Sequence, residues 1–223
     1  MAFTFIGFAG RTGAGTTSAA DFSAANYFVA VQSGAPTGTP TDSAGNTYVE
    51  IRDEEGSDGG ELAMFYAENA TGQASHTFTA VGGFPALCVM GFSGGATSSS
   101  LDQQNGTTDA SSPRNAGSIT PGEDNELVVM GIGGATGPGV SDYSIDGGFT
   151  IAGGFDLVGG TSYGAAIAYL IQTTATAANP SWTTPSNSSG QAAIIASFKA
   201  AAGGGGGGAA NPGKIIFRNR EYV

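Results

Sequence analysis

Short apolar runs separated by glycine, proline and Ser/Thr clusters recur along the chain as far as residue 199. Some of them alternate apolar with polar positions, as in His76-Thr77-Phe78-Thr79-Ala80-Val81, and alternation with this period is typical of a half-buried strand. Turn residues stand between the runs, for example in Asp146-Gly147-Gly148. The pattern therefore predicts strands at residues 3–8, 26–32, 47–52, 61–68, 76–81, 86–92, 126–132, 149–152, 163–172, 181–183 and 191–199.

Two of the runs, at 165–171 and 192–198, are apolar without interruption. A strand of this kind is expected at the centre of a sheet that is covered on both faces. We therefore predict an all-β fold, a two-sheet antiparallel β-sandwich that is jelly-roll-like and carries an extended C-terminal arm. The Ser/Thr/Asn/Gly-rich stretch at 94–121 is expected to be a surface excursion, and no repeat of fixed period is evident.

The composition changes abruptly near residue 203. Residues 1–202 are predicted to form the β-sandwich body, 203–213 a Gly-rich tether and 214–223 a C-terminal interaction strand. Six consecutive glycines, at 203–208, offer no side chain to a core and have maximal backbone freedom. The tether is thus expected to let the C-terminal strand extend away from the body, and the strand at 214–223 is expected to bind a partner.

The last ten residues are apolar, aromatic and basic. Burying an apolar side chain yields about 1.5–3 kcal/mol, whereas ordering each backbone residue costs roughly 1–2 kcal/mol, so one arm alone would bind weakly. Strand addition to a sheet edge, or many copies acting together, would make up the difference. The residues predicted to bind a partner are Lys214, Ile215, Ile216, Phe217, Arg218, Arg220, Tyr222 and Val223.

Charge is divided unevenly between body and arm. The whole chain has a net charge of −11, yet the arm carries three cations against one carboxylate, Glu221. An acidic body repels phosphate backbones, so nucleic acid is not expected as a partner. Head-to-tail contact between copies of the chain fits the opposite charges of body and arm better.

A single cysteine, Cys88, excludes an intrachain disulfide and a cysteine-built metal site, and its apolar flanks predict burial. The first residues lack the basic and apolar regions of a signal peptide, and no apolar run has the length of a membrane span, so we expect no membrane insertion. The composition, which is rich in Gly, Ser, Thr and Asn and poor in lysine, is nevertheless typical of protein surfaces that are exposed outside cells. A virion surface, reached after cytoplasmic synthesis, reconciles the two observations.

Two catalytic motifs are present in the sequence only in part. Residues 10–17 resemble a phosphate loop, but Thr16 stands where the lysine is required. Residues 91–95 match G-x-S-x-G, yet the only histidine, His76, precedes Ser93, and no helix signal follows. We expect His76 to be an ordinary strand residue on a polar face. The chain is predicted to be no enzyme, with no catalytic residue and no cofactor.

Five carboxylates lie within residues 53–61. A solvated acidic loop is the favoured interpretation, while calcium binding and an electrostatic docking patch stay open, because the spacing is not that of an EF-hand. Trp182 is expected in the core, although it is also the best candidate for a residue that stacks on a sugar.

An ordered set of motifs runs along the chain. Its members are Asp42-Ser43-Ala44-Gly45-Asn46-Thr47-Tyr48, Met64-Phe65-Tyr66-Ala67-Glu68-Asn69, Thr77-Phe78-Thr79, Val89-Met90-Gly91-Phe92-Ser93-Gly94, Asn125-Glu126-Leu127-Val128-Val129, and Ser181-Trp182-Thr183 followed by 192–199. Taken together, the set resembles a loosely described family of jelly-roll-type β-sandwich domains met in phage structural proteins and bacterial surface proteins. The likeness spans about residues 3–199, implies no catalytic residues and does not include the arm.

These observations predict a non-enzymatic structural protein of a phage virion. It would be a surface-displayed subunit (a capsid decoration, fibre or tail-associated protein) attached to its neighbours through the C-terminal arm, and a homo-oligomer in the particle. The expected partners are other copies of the chain and a shell or tail protein, with a host-surface glycan as a further candidate. The alternative is an adhesion module that binds carbohydrate or a receptor through its loops, with 94–121 and the acidic loop as contact surfaces.

Overall fold

A computed structural model describes residues 2–35, 38–56, 61–108, 113–134, 144–155, 163–183 and 192–202. Within these ranges the chain forms sixteen strands and no helix, and every strand pair is antiparallel. The predicted all-β sandwich is confirmed. The strands are β1 (Thr4–Thr12), β2 (Gly15–Thr16), β3 (Tyr27–Gly34), β4 (Thr41–Asp42), β5 (Val49–Glu55), β6 (Glu61–Ala67), β7 (Phe78–Ala80), β8 (Ala86–Ser93), β9 (Leu101–Thr108), β10 (Arg114–Asn115), β11 (Leu127–Gly134), β12 (Ser144–Ile145), β13 (Thr150–Phe155), β14 (Gly164–Ile171), β15 (Ser181–Thr183) and β16 (Ala192–Phe198).

The sixteen described strands are two sets of eight with the same connectivity. In the first half, a five-stranded sheet has the order β1-β8-β3-β6-β5 and a three-stranded sheet the order β2-β7-β4. The second half repeats both orders as β9-β16-β11-β14-β13 and β10-β15-β12. Each strand of the first half thus corresponds to the strand eight places later, so the chain holds a structural repeat that its sequence does not reveal.

Irregularities in the strands repeat as well. One extra residue interrupts the register at Ile6 in β1 and at Asp102 in β9, where each strand pairs with the last strand of its half. A second bulge falls at Ile51 in β5 and at Ala152 in β13. Because bulges are specific local features of a strand, their recurrence at corresponding places supports the correspondence of the two halves.

Four layers of strands explain the long apolar runs. The inner faces of the two large sheets pack together, and each outer face is covered by the small sheet of its own half. Phe78 and Trp182, each 0% exposed, are the large aromatic side chains of the two small sheets. The expectation that the strand at 192–198 is covered on both faces is confirmed, since β16 is buried along its whole length.

The two large sheets face each other about a pseudo-two-fold relation. Strand β3 lies on β11, β1 lies on β13, and β5 lies on β9. Val31 in β3 and Gly131 in β11 occupy corresponding positions and meet at the centre, where a Cβ atom added to Gly131 would lie 2.5 Å from Val31 Cγ1. The central contact therefore pairs a branched side chain with a residue that has none.

A half-buried carboxylate secures the connection between the halves. Glu68, just after β6, accepts hydrogen bonds from the backbone N–H groups of Ser99 (3.1 Å) and Ser100 (2.9 Å) and from the Ser100 hydroxyl (2.6 Å). The Ser100 hydroxyl also lies 2.8 Å from the hydroxyl of Tyr27, which is fully buried in the inner core. This chain of bonds fixes the segment between β8 and β9 against the sandwich.

One sequence prediction needs revision. The supposed surface excursion at 94–121 contains β9, an edge strand of the second large sheet, and β10, whose Arg114 is 0% exposed.

A jelly roll is an eight-stranded ribbon folded over two sheets. Of its four expected strand pairs, three occur in each half (β1–β8, β2–β7 and β3–β6, with their counterparts), whereas β5 pairs with β6 instead of β4. The jelly-roll assignment therefore stays a prediction.

We expect Gly131→Ala to lower the free energy of unfolding by about 1–3 kcal/mol, because the new methyl group overlaps Val31. Val31→Ala should cost stability through a cavity. In the double variant the overlap is absent, so its loss should be smaller than the sum of the single losses. Urea unfolding of the three variants measures this coupling, and losses that add within about 0.5 kcal/mol would contradict the contact.

Candidate functional site

The residues predicted to bind a partner lie at the carboxyl end of the chain. Lys214, Ile215, Ile216, Phe217, Arg218, Arg220, Tyr222 and Val223 all fall outside the described residues, and so does the tether at 203–213. Their role stays a prediction.

The chain is hydrogen-bonded to the body almost up to the tether. Lys199 N donates to Ser100 O at 2.7 Å, and Lys199 O accepts from Ala96 N at 3.1 Å. Ala201 N then donates to Gly94 O at 2.7 Å. The last described residues are thus attached to the connection between the two halves.

Strand β5 is an acidic edge. It lies at the end of its sheet, and no other described strand pairs with its outer side. It carries four carboxylates, while β1, β9 and β13, which also lie at edges, carry at most one each. The predicted acidic loop is therefore largely strand: Asp53–Glu55 end β5 and Glu61 begins β6, with 57–60 outside the described residues.

The one cation of β5 is engaged within the molecule. Arg52 pairs with Glu54, and its guanidinium donates to Gln104 Oε1 in β9 at 2.9 Å, which joins the two large sheets. Partial desolvation by the surrounding chain, followed by the carboxylates of Glu61, Glu50 and Glu54, raises the pKa of Asp53 to about 6, although its side chain is exposed. The edge thus keeps an excess of negative charge that a cationic partner would relieve.

His76 is buried, so its expected place on a polar face is wrong. The side chain is 0% exposed and lies among the rings of Phe22, Phe28 and Phe78, with its own ring centroid 4.6 Å from that of Phe78. His76 is buried because side chains alternate between the two faces of a strand, and His76 shares its face with Phe78 and Ala80, which both point inward. On the same side, Asp42 Oδ2 lies 3.1 Å from His76 Nε2.

Asp42 is the centre of a hydrogen-bonded turn. Its Oδ1 accepts from the backbone N–H groups of Ala44 and Asn46, both at 3.0 Å. Its Oδ2 accepts from Asn46 Nδ2 at 2.7 Å and from the Tyr48 hydroxyl at 3.0 Å. Burial opposes ionisation, but the bonds from Asn46, His76 and Tyr48 outweigh it and hold the pKa of Asp42 below its ordinary value. Burial and the nearby Asp42 raise the pKa of Tyr48.

A cleft of about 160 Å³ lies in the second half. Within it, Gln172 is 7% exposed, and its Nε2 donates to Thr176 O at 3.1 Å, whereas its Oε1 is buried without a hydrogen-bond partner among the described residues. A shallower cleft of about 340 Å³ adjoins it and shares Leu170, Gln172 and Thr176. The smaller cleft is lined by Gly147, Phe149, Leu170, Gln172, Thr176, Ala177, Ala178, Asn179 and Pro180.

The repeat relates this cleft to the buried histidine. The isolated bridge between Ala20 and His76 in the first half has a counterpart between Ile119 and Ala178 in the second, and each consists of two backbone hydrogen bonds of 2.9 and 3.0 Å. Tyr48 directly precedes β5, as Phe149 directly precedes β13. Ala178, which lines the cleft, thus takes in its bridge the place that His76 has in the bridge of the first half.

The two partial catalytic motifs have structural explanations. Arg11 spans the glycine-rich turn, because its side chain donates to Gly13 O and Thr16 O, and the Gly13 N–H is used by Pro85 O. Ser93 ends β8 opposite Thr4, and it is not among the described contacts of His76. The burial predicted for Cys88 and for Trp182 is confirmed.

Comparison with known proteins gives no relative from which a function could be transferred: no family model, curated protein or solved structure matches the chain. Among the described residues, no group of three or more His, Cys, Asp and Glu side chains is placed to hold a metal ion. A helix able to cross a membrane is likewise absent from the part of the chain that the structure describes.

We expect Asp42→Ala to lower the free energy of unfolding by about 2–3 kcal/mol at pH 7, because it leaves buried donors without an acceptor. A depressed folded-state pKa stabilises the fold at a pH above the unfolded-state value and loses that effect as the pH falls. The difference from wild type should therefore shrink below about pH 4. Asp146→Ala is the matched control, since Asp146 Oδ1 accepts one such bond, from Ser181 N. Equal losses in both variants at pH 7 would contradict the role of Asp42.

Asp53→Asn should raise the free energy of unfolding at pH 7.5 by about 1 kcal/mol, after allowance for solvent screening of this exposed group. A raised folded-state pKa means that ionisation costs stability as the pH climbs from the unfolded-state value near 3.8 to about 6. The gain should thus vanish at pH 4. Glu123→Gln, at an exposed position outside β5, is the control in the same urea unfolding series, and a gain at pH 4 would refute the prediction.

Proposed function

We propose that the protein is a non-enzymatic structural subunit of a phage virion, displayed on the particle surface as a capsid decoration, fibre or tail-associated protein. Residues 214–223 join it to its neighbours. The observation that carries the proposal is the acidic edge strand β5, which is open to pairing and complementary in charge to the arm.

Strand addition supplies the binding energy that side-chain burial alone does not. An arm strand laid along an open edge satisfies unpaired backbone groups, and alternate side chains then meet the edge residues. In an extended arm, Lys214, Arg218 and Arg220 share one face. These cations complement the exposed carboxylates of Glu50 and Asp53.

Each copy would offer one arm and one acceptor edge, so the contact is head-to-tail. Heterologous contacts of this kind close into rings or extend along a lattice, depending on the rotation between copies. Many such contacts in one particle make weak single arms sufficient. A surface subunit held at many points therefore needs no tight pairwise affinity.

A second function, that of an adhesion module binding carbohydrate or a receptor, is favoured by one observation. The cleft beside Gln172 combines apolar side chains with a buried acceptor that has no partner among the described residues. The cleft lies in the second half and β5 in the first, so the two functions are compatible.

Deletion of residues 203–223 should leave the body folded and release it from particles. The comparison of full-length and truncated protein in purified particles, with circular dichroism as the check on folding, measures this. Incorporation of the truncated protein at the full-length level would contradict attachment through the arm.

A charge exchange tests β5 as the acceptor. The triple arm variant Lys214→Glu, Arg218→Glu, Arg220→Glu should weaken self-association about tenfold or more in sedimentation experiments at low salt. Adding Glu50→Lys and Asp53→Lys should restore much of it. Glu123→Lys, which makes at an exposed site outside β5 the charge change of either β5 substitution alone, should not restore as much as the single variant Glu50→Lys. Equal rescue by Glu123→Lys would show that net charge, and not the β5 edge, governs association.

A further inference from the structure

We propose that the cleft beside Gln172 binds a single six-membered ring rich in hydroxyl groups, the terminal pyranose of a glycan. This inference rests on the second function proposed above and is independent of the arm. It assigns that function to the outer surface of the second half, at a site distinct from the β5 edge.

The cleft lies in a part of the second half whose counterpart in the first half is filled by side chains. His76 and Tyr48 occupy the corresponding region of the first half and are bonded to Asp42. In the corresponding bridge the second half has the methyl group of Ala178, and before the corresponding strand it has a phenyl ring, Phe149, where the first half has a phenol. The cleft lies beside these two smaller side chains.

The volume of the cleft agrees with one ring. A cavity of about 150 Å³ is known to accommodate benzene, whereas pockets for drug-sized ligands run from about 300 to 1,000 Å³. At about 160 Å³, the cleft is suited to a single ring. The adjoining shallow cleft, lined by Thr173, Thr174 and Thr176 among others, would face a second ring joined to the first.

The lining chemistry favours a sugar over a purely apolar ring. Phe149, Leu170 and Pro180 offer apolar surface to the C–H groups of a pyranose. Gln172 Oε1 is a buried acceptor without a described partner, and such an atom is costly unless a donor reaches it. A ligand hydroxyl supplies that donor when Oε1, which is closed off in the unliganded protein, turns into the cleft.

The full-length protein, labelled with ¹⁵N, is titrated with the methyl glycosides of glucose, galactose, mannose and N-acetylglucosamine and followed by NMR. At least one probe should shift the backbone signals of Phe149, Gln172 and Ala178 in a saturable manner. Cyclohexanol, a ring with a single hydroxyl, should bind at least fivefold more weakly than the best glycoside. The absence of saturable shifts at these residues with all four glycosides up to 50 mM overturns the proposal, as does equal binding of cyclohexanol.

Two variants and a control locate the site. Ala178→His should fill the cleft, as His76 fills the first half, and abolish the shifts. Gln172→Leu keeps the bulk of the side chain but removes the acceptor, and should weaken binding about five- to tenfold. Val81→Thr, at an exposed position of the first half, should bind like wild type. If Ala178→His fails to fold, Gln172→Leu decides alone, and unchanged affinity in that variant overturns the proposal.

Discussion

Where β3 crosses β11, the side chains of one strand fit into space that the other leaves empty. A Cβ atom on Gly131 would lie 2.5 Å from Val31, and one on Gly133 would lie 2.8 Å from both Ser33 Cβ and Leu62. This close approach sets the separation of the two large sheets. The inner core, the facing of the outer strands and the distance between the acidic edge and the second sheet all follow from it, because interiors packed at crystal-like density do not deform locally.

The two halves share one architecture but have diverged in what they expose. In the first half, Asp42 organises a turn and fixes His76, so the outer layer is closed by polar bonds inside an aromatic cluster. In the second, Ala178 and Phe149 leave a cleft with an unpartnered amide oxygen within the described structure. The edges differ as well, since β5 is acidic whereas its counterpart β13 carries no charge. The assembly surface and the recognition cleft that we propose therefore lie in different halves of the same chain.

Apolar periodicity was sufficient to predict the strands that carry the core, and Ser181–Thr183 is found where the pattern predicts it. It was insufficient for β9, because an edge strand that needs only one buried face has the composition of a loop. The repeat escaped detection because the two halves retain few identical residues at corresponding places, such as Tyr66 with Tyr169 and Phe92 with Phe198. His76 could have been placed correctly from its shared alternation with Phe78, whereas the cleft and the Asp42 network depend on contacts between segments far apart in sequence.

The pairing of Val31 with Gly131 also bears on how such a molecule can vary. If two separate, identical copies of the unit met across this face, the symmetry axis would bring valine against valine or glycine against glycine, and the result would be a collision or a void. Covalent fusion removes that restriction, because each position at the axis can change independently of its counterpart. The inner faces of the two large sheets are thus complementary to each other, and neither is complementary to itself. The connection from β8 to β9 keeps both faces in one chain.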